Sequence, residues 1–249
     1  MAIKIMPCLD MQNGRVVKGV QFVNIRDAGD PVACCIAYCN AGADEIALLD
    51  ITATVEGRST MLEVVRKVAE AATVPFTVGG GVSDLASAAA VLDSGADKIS
   101  TSSAAFRKPD VIREMVKEFG ADRITVAIDA AVNNTLPSGY EVYIDGGRTA
   151  TGADAIEWAR KVDGYGVATI LPTSKTTDGV KSGYDLPLIR TRRPLLRRWW
   201  LPEEPASWSI SMMRWRQVQP SSWPLLFFIS TSSPYRISRP ISRIAASKS

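Results

Sequence analysis

Six short apolar segments, each followed by polar or glycine residues, alternate with helical stretches over the first three quarters of the chain. The predicted strands are residues 3–10, 45–50, 74–78, 98–102, 124–129 and 167–171, and the predicted helices are 31–42, 60–72, 84–95, 109–119 and 154–162. Strands that alternate with helices through short connections are typical of a parallel sheet. The fold is therefore α/β, either a doubly wound sheet or a (β/α)₈ TIM barrel.

The ends of the strands favour the barrel. Asp10 and Asp129 each follow an apolar residue at the end of the first and fifth strands, and Asp50 ends the second. In a (β/α)₈ barrel, functional residues gather at the carboxyl ends of the strands. The second and sixth strands each lead into a loop that closes on an acid and a glycine, Glu56-Gly57 and Asp178-Gly179. This internal repeat predicts two half-barrels, with strands three and four recurring as strands seven and eight.

The recurrence is absent from the sequence after residue 190. Residues 191–249 contain no glycine and no aspartate but five of the six tryptophans. We expect a barrel of six strands over 1–190 and an aberrant tail over 191–249 that leaves the sheet edges unpaired. A basic tail that binds nucleic acid is one interpretation, since 190–198 reads RTRRPLLRR. A shifted reading frame is our preferred hypothesis. Codons that encode RWWLPEEPASW (198–208) can be chosen so that, in a shifted frame, they encode PVVASGGASKL, and the start of that peptide resembles VPFTVGG of the third strand.

The composition of the chain limits which side chains can transfer protons or bind a metal. The chain has a net charge of +3, no histidine and four cysteines without the spacing of a zinc site. Proton transfer therefore falls to other groups, such as carboxylates. We expect no metal site, no membrane segment and a cytoplasmic location.

The motifs CLDMQNGRVVKG, LLDITAT, FTVGGG, VAIDA and TSKTTDGVKSGYD resemble those of the cyclase subunit of imidazole glycerol phosphate synthase, from residue 3 to residue 190. The resemblance implies a lyase of histidine biosynthesis. With ammonia it converts a bis-phosphorylated ribulosyl–formimino–carboxamide ribonucleotide into imidazole glycerol phosphate and aminoimidazole carboxamide ribotide, and it needs no cofactor. The alternatives are the related isomerase of the same pathway, which shares the half-barrel repeat, and an inactive truncated barrel.

The same resemblance implies the site residues. Asp10 and Asp129 match the catalytic pair. The residues expected to bind the substrate or its phosphates are Lys18, Asp50, Gly81, Ser102, Ser103, Thr173, Asp178 and Gly179. Lys18 is expected to act through a mobile polar loop over 21–30 that closes on the substrate.

A partner is also implied. The family forms a heterodimer with a glutaminase subunit, which docks at the amino-terminal face of the barrel and supplies ammonia, and no nucleic acid or membrane takes part. Lys4, Glu45 and Lys98 match three members of the charged gate at that face, whereas the fourth position is Thr169. Ordinary salt bridges at the barrel floor are the alternative interpretation of the three charged residues.

Overall fold

The fold was analysed in a computed structural model, which describes residues 4–20, 23–57, 60–176, 185, 187–188 and 227–230. Residues 4, 19–20, 23–25 and 227–230 are described by their backbone alone. The strands are β1 (Lys4–Gln12), β2 (Arg15–Val20), β3 (Val23–Gly29), β4 (Ile46–Asp50), β5 (Phe76–Gly79), β6 (Lys98–Thr101), β7 (Ile124–Val132), β8 (Tyr140–Ile144), β9 (Thr149–Asp154), β10 (Thr169–Ser174) and β11 (Phe227–Ser230). The α-helices are α1 (Pro31–Asn40), α2 (Leu62–Ala71), α3 (Leu85–Asp93), α4 (Ser103–Arg107), α5 (Asp110–Phe119) and α6 (Ala155–Gly164).

Six parallel strands form the centre of the sheet, in the order β1-β4-β5-β6-β7-β10. They follow one another in chain order, and helices lie between them in the sequence. This is the strand order of a (β/α)₈ barrel through six of its units. The predicted fold class is confirmed for this part of the chain.

The two halves repeat in structure as well as in sequence. The first and fifth parallel strands, β1 and β7, are both nine residues long. Each continues into an antiparallel hairpin, β2–β3 or β8–β9. Each hairpin leads into a helix of ten residues, α1 or α6, whose N-cap is an aspartate, Asp30 or Asp154. The half-barrel repeat therefore places Asp10 and Asp129 on corresponding strands.

The side chains of the parallel strands alternate between two apolar clusters. The larger cluster packs strands against helices and includes Leu9, Val126 and Ile170. The smaller one lies on the opposite face of the strands and comprises Met6, Cys8, Ala47 and Leu171, with Leu49 and Ala127 packed against it. Because side chains two residues apart share a face, Asp10, Asp129 and Thr173 lie on the face of the smaller cluster.

The structure differs from the sequence-based description at three points. The segment 21–30 was expected to be a loop, but Val23–Gly29 forms β3 and pairs with β2. Because its residues are largely polar, the sequence does not indicate this strand, which is held by main-chain pairing. The short helix α4 lies between β6 and α5 and was not predicted.

The third correction concerns the edge of β1. We expected residues 191–249 to leave this edge unpaired, but Phe227–Ser230 pairs with it in antiparallel orientation, opposite Lys4–Pro7. Phe227 and its neighbours include β-branched and aromatic residues, which favour strands. The prolines of the tail do not interrupt this short stretch.

Candidate functional site

A cavity of about 760 Å³ opens at the carboxyl ends of the parallel strands. Its lining brings together seven of the residues expected in the site: Asp10, Asp50, Gly81, Ser102, Ser103, Asp129 and Thr173. They come from β1, β4, β7 and β10 and from the segments that follow β5 and β6. A site assembled from several strand ends is what the barrel architecture predicts.

Asp10 and Asp129 are half-buried, and both line the cavity. Each lies two residues after an apolar side chain on the face of the smaller cluster, Cys8 in β1 or Ala127 in β7. Thr173 of β10 lies opposite Asp129 in the strand register. The cavity thus has carboxylates from both half-barrels above an apolar floor, where acid and base functions can be divided between two groups.

Asp50 is buried at the end of β4 and organises the loop that follows. Its Oδ1 accepts hydrogen bonds from the Ala53 N–H at 3.2 Å and from the Thr52 hydroxyl at 3.5 Å. Asp50 also lines the cavity. Its position suits a residue that shapes the cavity wall through the β4–α2 loop.

The glycine turn after β5 brings main chain to the cavity. Gly80 and Gly81 have positive φ angles of 87° and 72°. A Cβ built on Gly80 would lie 2.0 Å from the carbonyl oxygen of Asp50, so no other residue fits there without backbone movement. The Thr60 hydroxyl donates to the Gly80 carbonyl, and the Thr101 hydroxyl donates to the Val82 carbonyl at 3.0 Å.

Helix α3 begins directly after this turn with a capping box. The Asp84 carboxylate accepts from the Ser87 N–H at 2.8 Å, and the Ser87 hydroxyl accepts from the Asp84 N–H at 3.1 Å. Hydrogen bonds from the Ser87 backbone and hydroxyl hold the pKa of Asp84 below its ordinary value. Asp84 and Ser87 both line the cavity.

An ion pair that the sequence analysis missed lies at the side of the cavity. Arg107 of α4 donates from Nη2 to both carboxylate oxygens of Asp145, at 2.6 and 2.7 Å. Burial, the largest single effect on this carboxyl, acts to raise its pKa, but the hydrogen bonds and charge of Arg107 prevail and the pKa is lowered. The partners are 38 residues apart in sequence, and neither belongs to a recognisable motif, so no signal in the chain indicated the pair.

One expected site residue that the structure describes is not brought into this lining, and two others fall outside the described ranges. Lys18 lies in β2, opposite Arg26 of β3, and is not among the residues that line the cavity. Asp178 and Gly179, and with them the second phosphate site, lie outside the described residues.

The predicted gate residues lie at the opposite, amino-terminal end of the sheet. Lys98 is the first residue of β6, and its Nζ contacts Glu45 Oε2 at 2.7 Å. Both side chains are nearly buried, with 11% and 3% exposed. Lys4 begins β1 at the same end, although its side chain is not described, and Thr169 begins β10.

Glu45 lies two residues before Ala47, and Lys98 lies two residues before Ser100. Because side chains two residues apart share a face, Glu45 and Lys98 lie on the same strand face as the smaller apolar cluster. The buried pair therefore lies below the cluster, and the carboxylates lie above it.

Among the residues that the structure describes, no three histidine, cysteine or acidic side chains are placed to hold a metal ion. No helix within the described ranges is long and apolar enough to cross a membrane.

Residues 4–197 match the model of the family described as histidine biosynthesis protein. The imidazole glycerol phosphate synthase subunit HisF of Prochlorococcus marinus strain MIT 9211 is 50% identical over 190 residues, which are 76% of this chain and 74% of that protein. The HisF subunit of strain NATL1A is 52% identical over 189 residues, and that of Synechococcus sp. strain CC9605 is 50% identical over 189. This chain therefore belongs to the histidine biosynthesis protein family and, within it, to the imidazole glycerol phosphate synthase HisF subunits.

Proposed function

We propose that the chain is the cyclase subunit of imidazole glycerol phosphate synthase, a lyase that uses ammonia. It would convert the bis-phosphorylated ribulosyl–formimino–carboxamide ribonucleotide into imidazole glycerol phosphate and aminoimidazole carboxamide ribotide. The observation that carries this proposal is the single cavity that Asp10 and Asp129 share at the carboxyl ends of β1 and β7. The identity of about 50% to HisF subunits supports it.

The reaction needs protons delivered and removed at different atoms of one substrate. The chain has no histidine to do this near neutral pH. We infer that Asp10 and Asp129 divide the work, one as general acid and the other as general base. Thr173, which lies opposite Asp129 in the strand register, would bind the substrate beside this pair.

A phosphate of the substrate is assigned to the wall made by Gly81, Ser102 and Ser103. These residues follow β5 and β6, line the same cavity and offer hydroxyl and main-chain donors. Ser103 is the more buried of the two serines, with 6% of its surface exposed. The other phosphate would lie at Asp178 and Gly179, with Lys18 acting from the β2–β3 hairpin.

Ammonia would enter from the opposite end of the sheet, from a glutaminase partner. The Glu45–Lys98 pair at the amino end and the apolar cluster of Met6, Cys8, Ala47 and Leu171 above it would form its route. We propose a cytoplasmic location for this enzyme.

The proposal is tested by measuring turnover of the ribulosyl substrate with and without an ammonium salt. The cyclase requires ammonium for product formation. Isomerisation of the earlier pathway substrate without ammonium would instead identify the isomerase. The assay is run on the printed chain and on a version with the reading frame restored near codon 191, because an inactive truncated barrel is the remaining alternative.

We further propose that residues 191–249 are an out-of-frame translation. The matched relatives leave about a quarter of this chain and about a quarter of their own length unmatched, which supports a divergent segment of ordinary length. Resequencing the DNA around codon 191 tests the proposal. A segment similar to the unmatched quarter of the HisF relatives is the expected result in one of the other two frames, and its absence from both would refute the proposal.

A further inference from the structure

The tip of the β8–β9 hairpin forms part of the cavity wall. Gly146 lines the cavity. A Cβ built on it would lie 3.3 Å from the carbonyl oxygen of Ile51, in the loop that follows β4. On its other side, Asp145 contacts α4 through Arg107. The tip thus spans from the β4–α2 loop to α4, next to the residues assigned to a phosphate.

Asp145 has an unusual backbone. Its φ is +57°, a conformation that L-residues other than glycine adopt rarely, although aspartate and asparagine tolerate it best. Contacts from two arginines hold the residue in place: Arg107 binds the carboxylate, and Arg148 Nη1 donates to the Asp145 carbonyl at 3.3 Å.

This conformation directs the Asp145 N–H at Ser103. The N–H donates to Ser103 Oγ at 2.9 Å. A hydroxyl has two acceptor positions and one hydrogen to donate. With one acceptor position filled by the backbone of Asp145, the Ser103 hydroxyl keeps its hydrogen for an anion in the cavity.

From this contact we propose that Asp145 and Arg107 are positioning residues for phosphate binding. Their ion pair fixes the hairpin tip, the tip directs its N–H at Ser103, and Ser103 then donates to the phosphate. The inference rests on the proposed function in assigning a phosphate to Ser103, and it adds two residues that act through that hydroxyl.

A direct role for Arg107 makes a different prediction. Arg107 also lines the cavity, so its guanidinium could itself bind the phosphate. Asp145 would then compete with the phosphate for Arg107, and removal of its charge would strengthen phosphate binding. In the positioning role, removal of either partner weakens it.

The test is the affinity for inorganic phosphate, measured by isothermal titration calorimetry on the full chain and on the frame-restored chain. Ser103→Ala should weaken binding about tenfold, since it removes a hydrogen bond to a charged group. Arg107→Gln and Asp145→Asn should each weaken it about threefold, and Arg107→Lys by less. Asparagine tolerates the positive φ, so Asp145→Asn preserves the backbone and removes only the charge.

The double variants decide between positioning and direct binding. Added to Ser103→Ala, neither Arg107→Gln nor Asp145→Asn should weaken phosphate binding further, because both act through the Ser103 hydroxyl. Equal effects of Arg107→Gln with and without Ser103 would overturn the proposal, as would tighter binding by Asp145→Asn. Arg113→Gln and Asp110→Asn are the matched controls, because they break an exposed ion pair on α5.

Turnover gives a separate readout. In an active enzyme, Arg107→Gln and Asp145→Asn should raise KM by a factor similar to the loss of phosphate affinity while kcat changes little. Phosphate binding does not depend on turnover. Absence of cyclase activity with intact coupling to Ser103 would therefore refute the proposed function alone, and lost coupling in an active cyclase would refute the positioning role alone.

Discussion

Gly80 and Gly42 have nearly the same φ angle but different surroundings. A comparison of the two separates the cost of a positive φ from the cost of a steric clash. Their φ angles are 87° and 88°. A Cβ at Gly80 would lie 2.0 Å from the Asp50 carbonyl oxygen, whereas a Cβ at Gly42 would meet nothing within 4 Å. The two positions therefore share a φ angle and differ in the steric contact that a Cβ would make.

Gly80→Ala should therefore destabilise the protein far more than Gly42→Ala. The control should cost about 1–2 kcal/mol, the penalty for a left-handed alanine. The Gly80 variant adds displacement of Asp50 and of the β5 turn, and should also weaken phosphate binding. Urea unfolding of both variants measures the difference, and equal losses of stability would show that the close approach has no energetic consequence.

Variants of the buried Glu45–Lys98 pair can distinguish an ammonia gate from a purely structural salt bridge. Lys98→Met should cost about 3–5 kcal/mol, because it leaves a buried carboxylate without its lysine partner. The double variant Glu45→Leu/Lys98→Met should recover much of that stability. If the pair is only structural, ammonium-dependent turnover recovers with it. A gate instead predicts a turnover defect that persists in the stable double variant.

At the scale of the elements, the helix caps make stability depend on pH. Asp154 caps α6 by accepting from the Ile156 and Glu157 N–H groups at 2.9 and 3.1 Å, and it also accepts from the Ser138 N–H at 2.7 Å. Burial acts to raise its pKa, but these hydrogen bonds prevail and lower the pKa below its ordinary value of 3.8. A carboxyl whose pKa is lowered by folding stabilises the protein above its unfolded pKa and loses this effect as the pH falls through the folded value.

Asp154→Asn should therefore be destabilising by about 1–2 kcal/mol at pH 7 and progressively less so as the pH falls below the unfolded pKa of 3.8 toward the lower folded pKa. Asparagine is also a good N-cap, so the variant removes the charge while keeping an acceptor. Free energies of unfolding measured from pH 7 down to pH 2.5 check this expectation. A penalty that stays constant across this range would contradict the charge argument, and Asp110→Asn controls for a general effect of charge.

The individual elements also show which parts of the fold can be predicted from sequence patterns. The six parallel strands and the helices α1, α2, α3, α5 and α6 followed from apolar periodicity and turn residues. Strand β3 did not, because VNIRDAG lacks a continuous apolar run and is held by pairing with β2. Helix α4 is only five residues long, too short for a periodic signal.

At the scale of the whole molecule, the repeat was the most informative feature of the sequence. The repeat alone predicts that Asp10 and Asp129 lie on corresponding strands, and the structure brings both into one cavity. The Arg107–Asp145 contact could not be foreseen, because it depends on where a hairpin tip meets a short helix. The pairing of Phe227–Ser230 with β1 could not be foreseen either, since this segment is not part of the repeat.

Asp10 and Asp129 are the proposed acid–base pair of an ammonia-dependent cyclase. The most direct test is steady-state turnover with ammonium for Asp10→Asn and Asp129→Asn in the frame-restored chain, with Asp110→Asn as the control. Each site variant should lose roughly 10²–10⁴ in kcat while its thermal unfolding transition stays cooperative, and the control should match the parent. Turnover close to that of the parent in either site variant would contradict the account.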